Sequence, residues 1–479
     1  MLRETRHKRK RKRRKRILLI SMITFISLIS LKLHFFSSAD DKPIAQRAAT
    51  SQKNTPAQMK SPIQTPEQYG ANGFDQKPDT EAMQKALDSG KELVLKSGAT
   101  YIIDKPLQAS HSLKIRTDQS DPAKIVQKGK ASAFIFDNKP IVSTNVVQNI
   151  TSQQPFVVLA DTKGIKPGSL IHLTSSKLWY WDDRGYLKKG ELHQVTRVFG
   201  RRVYLDSPIV ENYKVGYGEN VSATIYPNVS LKMENITFAH PKPYQTIMMR
   251  INYTTDATFT NVSVENSKDI GILLNTTFKT KVIHSHVELG TTKDIKKGYG
   301  IQDYGGTGTL IENSTFEKVR RGVDFSGSTP SRFGVVRNCR SYGYKKGTLA
   351  SGNSGFGTHS TAEYITFENN YVENFNYGFL IRGKDITVTR NLLKGDSYGF
   401  IAVSYGNRAK VMDNTYQSLG GSALETFIMA PDTYKGSINA QGNVADIIKG
   451  PFLTGDTRRL KLILKNNHYT SPSRELGAY

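Results

Sequence analysis

Residues 365–372 read ITFENNYV, and residues 386–393 read ITVTRNLL. In both stretches apolar and polar residues alternate up to an asparagine, which is the pattern of a strand with one face in a core and one face in solvent. Asparagine tolerates the left-handed backbone of a tight bend, and its amide can pair with the same amide one repeat away. The two stretches therefore predict successive coils of a solenoid, with a column of asparagines inside the bend.

This pattern recurs from about residue 229 to the C-terminus. Asparagine ends the alternating run at Asn235, Asn261, Asn313, Asn338, Asn370, Asn391, Asn414, Asn443 and Asn467. A glycine followed by a large apolar residue runs in phase with it, at Gly271-Ile272, Gly300-Ile301, Gly322-Val323, Gly355-Phe356, Gly378-Phe379 and Gly399-Phe400. Most asparagine steps lie between 21 and 32 residues. Two in-phase marks without a helical stretch between them indicate one short β-rich unit that stacks on itself.

The N-terminus predicts the compartment. Residues 1–16 hold eleven Lys or Arg, and an apolar run follows at residues 17–36, interrupted only by Lys32. Because positive charge stays on the cytoplasmic side, we expect a cytoplasmic tail, then a single transmembrane signal-anchor, with the rest of the chain outside the cytoplasm. Residues 37–63, rich in Ser, Thr, Gln, Pro and Lys, then form a flexible linker. The alternative is a signal peptide cleaved near Ala39, which would give a secreted protein.

The charge of the remaining chain predicts the kind of partner. The basic tail accounts for about ten of the formal net charge of +26, so the exported body keeps about sixteen positive charges. Such a surface favours polyanions, and outside the cytoplasm these are acidic polysaccharides and wall polymers more than nucleic acid. The alternative is that Lys and Arg only keep the outer faces of the coils soluble.

The cysteine count limits metal chemistry. With one cysteine, Cys339, neither an internal disulfide nor a cysteine-based metal cluster can form. The thiol is expected to fill space inside a coil. No metal or cofactor is expected. Calcium stays possible, although no carboxylate cluster indicates a site for it.

Residues 69–87 read YGANGFDQKPDTEAMQKAL and predict a covered end for the solenoid. Asp79 can cap a short helix with an apolar stripe, and such a helix can hide the open edge of the first coil. This stretch resembles the N-terminal capping motif of the pectate-lyase-like superfamily, which spans pectate lyases, polygalacturonase-related proteins, uronan epimerases and phage tailspike depolymerases. The usual motif has consecutive aspartates before the threonine, whereas KPDT at residues 77–80 keeps one.

Together with the repeats, the resemblance covers roughly residues 64–470. It implies an all-β chain folded as a right-handed parallel β-helix. The cap and first coils are expected at residues 64–154, and the main β-helix at residues 227–479. Residues 155–226 do not follow the repeat, and they read as strands of a small inserted β-subdomain.

Both tryptophans of the chain, Trp179 and Trp181, lie in one loop of this insert, beside two aspartates and an arginine. Exposed aromatic faces pack against the C–H faces of sugar rings, and the flanking charges could bind hydroxyls or carboxylates. The tryptophans are therefore candidate substrate-binding residues. The alternative is that their rings close the core of the subdomain itself.

The glycine mark also predicts which side chains leave the core. If the residue after each glycine points inward, the residues two and four after it point outward, and adjacent coils lie about 4.8 Å apart. On this rule Asp324, His359 and Arg382 form a nearly continuous outward column, provided that residues 329–354 make one long loop and not an additional coil. The resemblance implies an active site on this same strand. The flanking residues are candidate subsite residues: Tyr304, Tyr398, Tyr405 and Arg408.

An acid, an imidazole and a guanidinium within reach of one ligand suit β-elimination or C5 epimerisation of a uronic acid. That chemistry needs a group that neutralises the carboxylate, a base for the C5 proton and an acid on the other side. Arg382 suits the first task. His359 suits the second, with Asp324 orienting its ring, and Tyr304 or Tyr405 could serve as the acid.

Two other functions stay open. Inverting hydrolysis of the polygalacturonase-related type needs two carboxylates about 6.5–9.5 Å apart. Asp303 and Asp324 could supply them only if a bulge turns Asp303 outward, and GTH at residues 357–359 is only a loose echo of the Gly-His-Gly of that family. The other function is a non-catalytic wall- or glycan-binding protein on the same solenoid.

Overall fold

In the computed structural model the described residues are 63–179, 187–290, 297–344, 352–471 and 474–478. All of them belong to one compact unit, Lys60–Tyr479. No helix among these residues is long and apolar enough to cross a membrane. The predicted anchor at residues 17–36, the basic tail before it and Trp181 lie outside the described residues.

Two short helices and a long series of strands make up the described chain. A 3-10 helix spans Pro66–Tyr69, and helix α1 spans Thr80–Asp88. The strands before the inserted subdomain are β1 (Ile63–Gln64), β2 (Glu92–Leu95), β3 (Thr100–Ile103), β4 (Leu107–Ala109), β5 (Leu113–Thr117), β6 (Ala123–Gln127) and β7 (Phe134–Asp137). The strands of the subdomain are β8 (Val142–Asn145), β9 (Phe156–Val158), β10 (Leu170–Leu178), β11 (Lys188–Phe199), β12 (Arg202–Leu205) and β13 (Val221–Tyr226). The strands after it are β14 (Leu231–Tyr244), β15 (Ile247–Asn252), β16 (Thr258–Ser267), β17 (Ile270–Asn275), β18 (Lys281–Ile283), β19 (His286–Leu289), β20 (Tyr299–Tyr304), β21 (Leu310–Glu312), β22 (Thr315–Glu317), β23 (Arg321–Ser326), β24 (Ser331–Arg332), β25 (Val335–Arg337), β26 (Arg340–Tyr342), β27 (Ser354–Thr358), β28 (Ala362–Glu363), β29 (Thr366–Glu368), β30 (Tyr371–Glu373), β31 (Tyr377–Lys384), β32 (Thr387–Thr389), β33 (Leu392–Lys394), β34 (Ser397–Asn407), β35 (Ala409–Met412), β36 (Thr415–Gln417), β37 (Leu424–Ala430), β38 (Gly436–Gln441), β39 (Val444–Ala445), β40 (Leu453–Gly455), β41 (Leu460–Lys465), β42 (His468–Ser471) and β43 (Arg474–Ala478).

Strands of successive coils pair in parallel, which confirms the predicted parallel β-helix. One sheet, here the first sheet, runs through β4, β7, β15, β17, β20, β23, β27, β31, β34, β37 and β40. Its register aligns Ile301, Val323, Phe356 and Phe379 on neighbouring coils. A second, larger sheet holds two parallel runs of strands, and a sharp bend joins the runs within each coil, as between β25 and β26.

The sequence pattern assigns two tasks to one asparagine, which are to form the bend and to pair with the next coil. At the bends of the second sheet, two consecutive residues share these tasks. Left-handed backbone makes the turn, with φ between 51° and 59°, at Asn235, Asn261, Asn313, Asn338 and Asn369. In the later coils the following residue is a buried asparagine: Asn370, Asn391, Asn414, Asn443 and Asn467. Each side-chain amide of this column donates to the amide oxygen of the next at 2.8–3.0 Å. The predicted asparagine column is confirmed for the later coils, where the buried amides satisfy one another.

Cys339 occupies the first position of the same column. Its backbone N–H donates to Oδ1 of Asn370 at 3.0 Å, and its thiol is buried. Burial raises the pKa of the thiol to about 12. The sulfur therefore fills space as a neutral group, as predicted.

Aromatic rings stack inside the β-helix behind the first sheet. The stack runs through Phe356, Phe379, Phe400, Phe427 and Phe452, with centroids 4.6–6.0 Å apart. Burial of one such side chain contributes about 1.5–3 kcal/mol. Since each coil adds a ring to the same row, the repeat in sequence becomes a continuous core.

Glycines mark a bend at the start of the first-sheet strands. A Cβ built on Gly300 would point into the core, 2.5 Å from the carbonyl oxygen of Gly322 and 2.7 Å from the ring of Phe316. Ile301 is fully buried in the same core. Two consecutive residues thus face inward, which regular strand alternation does not allow. The residue before the glycine consequently faces the outer surface.

The N-terminal cap covers the first coil as predicted, but its aspartate has another task. Helix α1 buries one face, formed by Ala82, Met83, Ala86 and Leu87. Asp79 makes no side-chain hydrogen bond to the helix N-terminus. Its carboxylate accepts the backbone N–H groups of Asn72 at 2.8 Å and Ile102 at 3.1 Å. The predicted capping role of Asp79 is therefore wrong, because the buried carboxylate ties a loop to strand β3.

The inserted subdomain is an antiparallel sheet with a core of its own. Its strands pair in the order β8, β13, β10, β11, β12 and β9. The sheet already begins at Val142, before the predicted boundary at residue 155, and its last strand ends at Tyr226. The solenoid resumes with β14, which pairs with β5 and β6 across the insert.

Candidate active site

Asp324 and His359 meet on the outer face of the first sheet. Nδ1 of His359 lies 2.9 Å from Oδ2 and 3.1 Å from Oδ1 of Asp324. Nη1 of Arg321 donates to Oδ1 of the same carboxylate. Asp324 is fully buried, whereas 24% of the His359 side chain is exposed. The imidazole is therefore the accessible member of this group.

The two residues are adjacent because their strands belong to successive coils. Strand β23 pairs directly with β27, with Asp324 opposite Gly357. Residues 329–354 contain β24, β25 and β26, which complete one coil. The expectation of one long loop is wrong, because these residues form strands, but no additional coil separates β23 from β27.

The surrounding charges set the protonation of this pair. Burial alone would raise the pKa of the Asp324 carboxyl, but His359 and Arg321 outweigh burial and hold this pKa well below its ordinary value. Burial lowers the pKa of His359, and Arg321 and Arg382 add to this effect, while Asp324 opposes it. At neutral pH the pair is therefore a carboxylate and a neutral imidazole. Because an ionised carboxylate only accepts hydrogen bonds, Nδ1 carries the proton and Nε2 keeps a lone pair.

Gly357 leaves room for Arg321 on the outer face. A Cβ built on Gly357 would lie 3.1 Å from Nε and 3.2 Å from Cδ of Arg321. It would also lie 2.4 Å from the carbonyl oxygen of Leu380. The absent side chain lets the Arg321 stem cross the neighbouring coil while its guanidinium contacts Asp324.

Tyr299 and Arg320 complete the group, and sequence reasoning missed Tyr299. The ring centroids of Tyr299 and His359 are 6.4 Å apart, in an edge-to-face arrangement. Above the Tyr299 ring, Cζ of Arg320 lies 4.6 Å and Cζ of Arg321 5.8 Å from the centroid. Tyr299 and Arg321 each precede a marker glycine, and strict alternation assigns that position to the core. The available signal was the glycine itself, because the inward bend there turns the preceding residue outward.

Arg382 lies on the next coil, beyond His359. Its backbone N–H donates to Oγ1 of Thr358 at 2.8 Å, and Cζ of its guanidinium lies 5.7 Å from the ring centroid of Tyr405. Tyr405 has left-handed backbone, with φ of 46°, where the register between β31 and β34 shifts by one residue. This β-bulge turns Tyr405 toward Arg382.

The other predicted subsite residues have different environments. Tyr304 and Tyr398 are each 37% exposed. The ring of Tyr398 lies 6.1 Å from that of Tyr377. Nε of Arg408 donates to Oδ1 of Asp385 at 2.7 Å, so this guanidinium is held in an ion pair. The two tyrosines are thus accessible, whereas Arg408 is already paired.

Asp303 faces the interior and not the outer face of the first sheet. The hydroxyls of Thr309 and Ser331 and the backbone N–H of Gly306 donate to its carboxyl. Burial raises its pKa against these hydrogen bonds. The bulge that would turn Asp303 outward is not present, so this residue supplies no second carboxylate beside Asp324.

The glycine mark is displaced by one residue at Gly399. In the sheet register Gly399 pairs with Tyr377, the residue before a marker glycine. The rule that turns the second and fourth following residues outward therefore fails on this coil. Ile401 and Val403, which the rule places on the surface, are fully buried.

The inserted subdomain packs against the solenoid at the C-terminal end of the same strands. Nη2 of buried Arg332 lies 2.7 Å from Glu211, and its Nε lies 2.8 Å from Glu363. The indole N–H of Trp179 donates to Glu211 at 2.7 Å, and Nζ of Lys384 lies 4.1 Å from the Trp179 ring. Trp179 is only 7% exposed. It therefore belongs to the junction of subdomain and solenoid, and the prediction of an exposed sugar platform is wrong for this residue.

Metal coordination has no ready site in the part of the chain that the structure describes. Within it, no group of three or more His, Cys, Asp or Glu side chains is arranged to hold a metal ion.

Comparison with known proteins finds solved structures of similar architecture. No protein-family model and no curated protein matches the chain. The tailspike protein gp49 from Pseudomonas phage LKA1 superposes with a TM-score of 0.63 at 17% identity, over 85% of this chain and 78% of that chain. The tailspike gp61 of Pseudomonas phage phi297 gives 0.61 at 14% identity, over 85% and 75%. The gp54 tailspike of Acinetobacter baumannii bacteriophage AP22, solved in complex with A. baumannii capsular saccharide, gives 0.63 at 15% identity, over 83% and 73%. At these identities the likeness concerns the fold, and the chain has a parallel β-helix fold like that of these tailspikes.

Proposed function

We propose that the protein acts on an acidic polysaccharide, by β-elimination or C5 epimerisation of a uronic acid. The observation that carries this proposal is the partly exposed, neutral His359, bound through Nδ1 to the buried carboxylate of Asp324 and surrounded by guanidinium groups. A structure of similar fold has been solved with a capsular saccharide, which supports a polysaccharide as the ligand class.

The geometry suits removal of a C5 proton. Nε2 of His359 accepts the proton while the electron pair of the C5–H bond moves toward the uronate carboxylate, whose added charge the guanidiniums stabilise. In elimination the C4–O bond then breaks, and the leaving oxygen takes a proton. In epimerisation a proton returns to C5 from the opposite face. Tyr299 is a candidate donor, because burial raises its pKa and keeps its hydroxyl protonated.

Hydrolysis has less support. An inverting hydrolase needs a second carboxylate facing the substrate, and Asp303 faces the interior. A glycan-binding protein without turnover is the second candidate. It is favoured because the carboxylate of Asp324 is buried and already accepts hydrogen bonds from Arg321 and His359.

The test is to incubate the full-length protein in detergent with a panel of acidic polysaccharides. Rising absorbance at the unsaturated-uronate band shows elimination. Deuterium uptake at C5 from heavy water without that absorbance shows epimerisation. New reducing ends with neither signal would show hydrolysis, and binding without any reaction would show a glycan-binding protein. Either of the last two results contradicts the proposed reaction.

The pH dependence of turnover follows from the pKa of His359. We expect the acid limb of kcat/KM to lie below the ordinary histidine pKa of about 6.5, because the folded environment lowers the pKa of this group. Arg382→Gln removes a positive charge that contributes to the lowering, so the limb should move to higher pH. Arg390→Gln, whose guanidinium pairs with Glu368 on the second sheet, should leave it in place. An acid limb of kcat/KM that stays in place in Arg382→Gln would contradict the role of His359 as the base.

We also propose that residues 17–36 anchor the protein in the membrane with the β-helix outside the cytoplasm. The support is the basic run that precedes this apolar stretch. Protease added to intact cells should then degrade the β-helix and leave a short membrane-bound fragment. A mature N-terminus at Asp40 in the membrane-free fraction would contradict the anchor and show a cleaved signal peptide instead.

A further inference from the structure

Arg320 is buried beside the candidate active site. Only 3% of the residue is exposed. Its Nε donates to the carbonyl oxygen of Lys297 at 2.7 Å, and Nη1 donates to that of Gly352 at 3.2 Å. The guanidinium lies against the ring of Tyr299, with Cζ 4.6 Å from the centroid. Its remaining nitrogen, Nη2, is buried and makes no hydrogen bond to any residue that the structure describes.

The charge of Arg320 is also not balanced within the described chain. Its neighbour Arg321 forms an ion pair with Asp324, and Lys297 lies 3.7 Å from Asp269. Arg320 forms no ion pair with a described carboxylate. Burial and the charge of Arg321 lower its pKa, and the opposing effects of Tyr299 and Asp324 do not outweigh them. A buried cation without a counter-ion costs several kcal/mol. Such a group is expected where a ligand supplies the missing charge.

We propose that Arg320 binds the acidic group, a carboxylate or a sulfate, of the sugar that lies at Asp324 and His359. This inference rests on the proposed function and specifies how that site selects its substrate. Arg320 is then the residue that distinguishes acidic from neutral polysaccharides. It replaces Arg382 in the role that sequence reasoning assigned to the latter.

The position of Arg320 suits this role better than that of the other two arginines. Arg321 uses Nη1 for Asp324 and Nη2 for the carbonyl oxygen of Gly352, at 3.4 Å. Arg382 lies on the coil beyond His359, against Tyr405. Arg320 shares the Tyr299 ring with Arg321 and keeps a terminal nitrogen, Nη2, without a described acceptor. In Arg321 both terminal nitrogens are used, and the nitrogen without a described acceptor is Nε, which faces Gly357. Its planar guanidinium, fixed from two sides, is preorganised for an oxyanion.

The alternative role of Arg320 is structural. Two carbonyl oxygens, those of Lys297 and Gly352, accept its hydrogen bonds, so the side chain could serve only to join the chain segments that contain them. A purely structural arginine would affect all ligands alike. An anion-binding arginine would affect acidic ligands alone.

The test compares Arg320→Gln and Arg320→Lys with Arg390→Gln, a change at an exposed arginine in a bend of the second sheet. Isothermal titration of the full-length protein in detergent measures the Kd for polygalacturonate, dextran sulfate and neutral dextran. For Arg320→Gln we expect binding of an acidic polymer to weaken by about tenfold to a hundredfold, the usual worth of a charged hydrogen bond. Arg320→Lys should lose less, and Arg390→Gln should bind as the wild type does.

The pattern of losses identifies the ligand group. A loss for polygalacturonate alone indicates a carboxylate, and a loss for dextran sulfate alone indicates a sulfate. Unchanged binding of both acidic polymers, or an equal loss for dextran, overturns the inference. If the wild type binds none of the three polymers, the proposed function fails separately. In that case, or if Arg320→Gln does not fold, thermal protection by free glucuronate relative to glucose decides. Protection of the wild type that Arg320→Lys weakens supports the anion site, and its absence overturns it.

Discussion

Replacing His359 by alanine is expected to reduce kcat by about 10²- to 10⁴-fold, the usual contribution of a positioned general base. The reason is that Nε2 of this ring is the accessible proton acceptor of the group, since Nδ1 is held by Asp324. KM should change little, because the guanidiniums that surround the site remain. Initial rates on the substrate found in the absorbance assay measure the effect.

The same substitution should cost little stability. The side chain is 24% exposed, and the buried carboxylate of Asp324 keeps its contact with Arg321. Loss of one charged hydrogen bond costs about 1.5–3 kcal/mol, and exposure reduces this figure. His468→Ala, at an exposed histidine of the last coils, is the matched control for both rate and melting temperature. Full turnover by His359→Ala would show that the imidazole is only a polar surface group.

The solenoid could be predicted from sequence because the asparagine and the glycine each meet a conformational requirement that recurs from coil to coil. Asn338 and its equivalents make a left-handed bend that few residues tolerate. Gly300 and its equivalents face a core that has no space for a side chain. These needs act over a few residues, so they are visible as a period in the sequence.

The site could be predicted only in part, because the rule used for it describes a regular strand. Asp324 and His359 follow their glycines within regular strand, and counting two and four residues finds them. Tyr299 and Arg321 precede the glycine, where the bend interrupts the alternation. On the coil of Gly399 the marker glycine stands one residue out of register with the marker glycine of the preceding coil, so the rule fails.

Distant contacts explain the remaining errors. The inward carboxyl of Asp303 is held by Ser331, 28 residues away in the chain. The indole of Trp179 is buried by partners that include Glu211 and Lys384. Asp79 does not cap the helix, because its carboxylate accepts a hydrogen bond from the backbone N–H of Ile102, 23 residues away in the chain. No local pattern reports such partners.

Replacing Asp324 by alanine is expected to lower the free energy of unfolding by about 3–5 kcal/mol, because it leaves Arg321 buried without its counter-ion. A double variant, Asp324→Leu with Arg321→Met, should recover most of this loss, since it removes both charges and keeps the buried volume. Asp385→Ala breaks the partly exposed pair with Arg408 and should cost less than about 1 kcal/mol. Urea unfolding at neutral pH measures all three. A loss in Asp324→Ala no larger than in Asp385→Ala would contradict the buried ion pair.

The pH dependence of stability separates the charge of Asp324 from its packing. Folding lowers the pKa of this carboxyl, so its contribution is complete above the ordinary carboxyl pKa of about 3.9 and is lost as pH falls below that value. Asp324→Asn keeps the shape of the side chain but has no such contribution. The free energy of unfolding of the wild type should therefore exceed that of this variant most at neutral pH, and the difference should narrow as pH falls below about 4. If the two curves of unfolding free energy run parallel through that range, the loss comes from packing and the ionised carboxylate is not what stabilises the site.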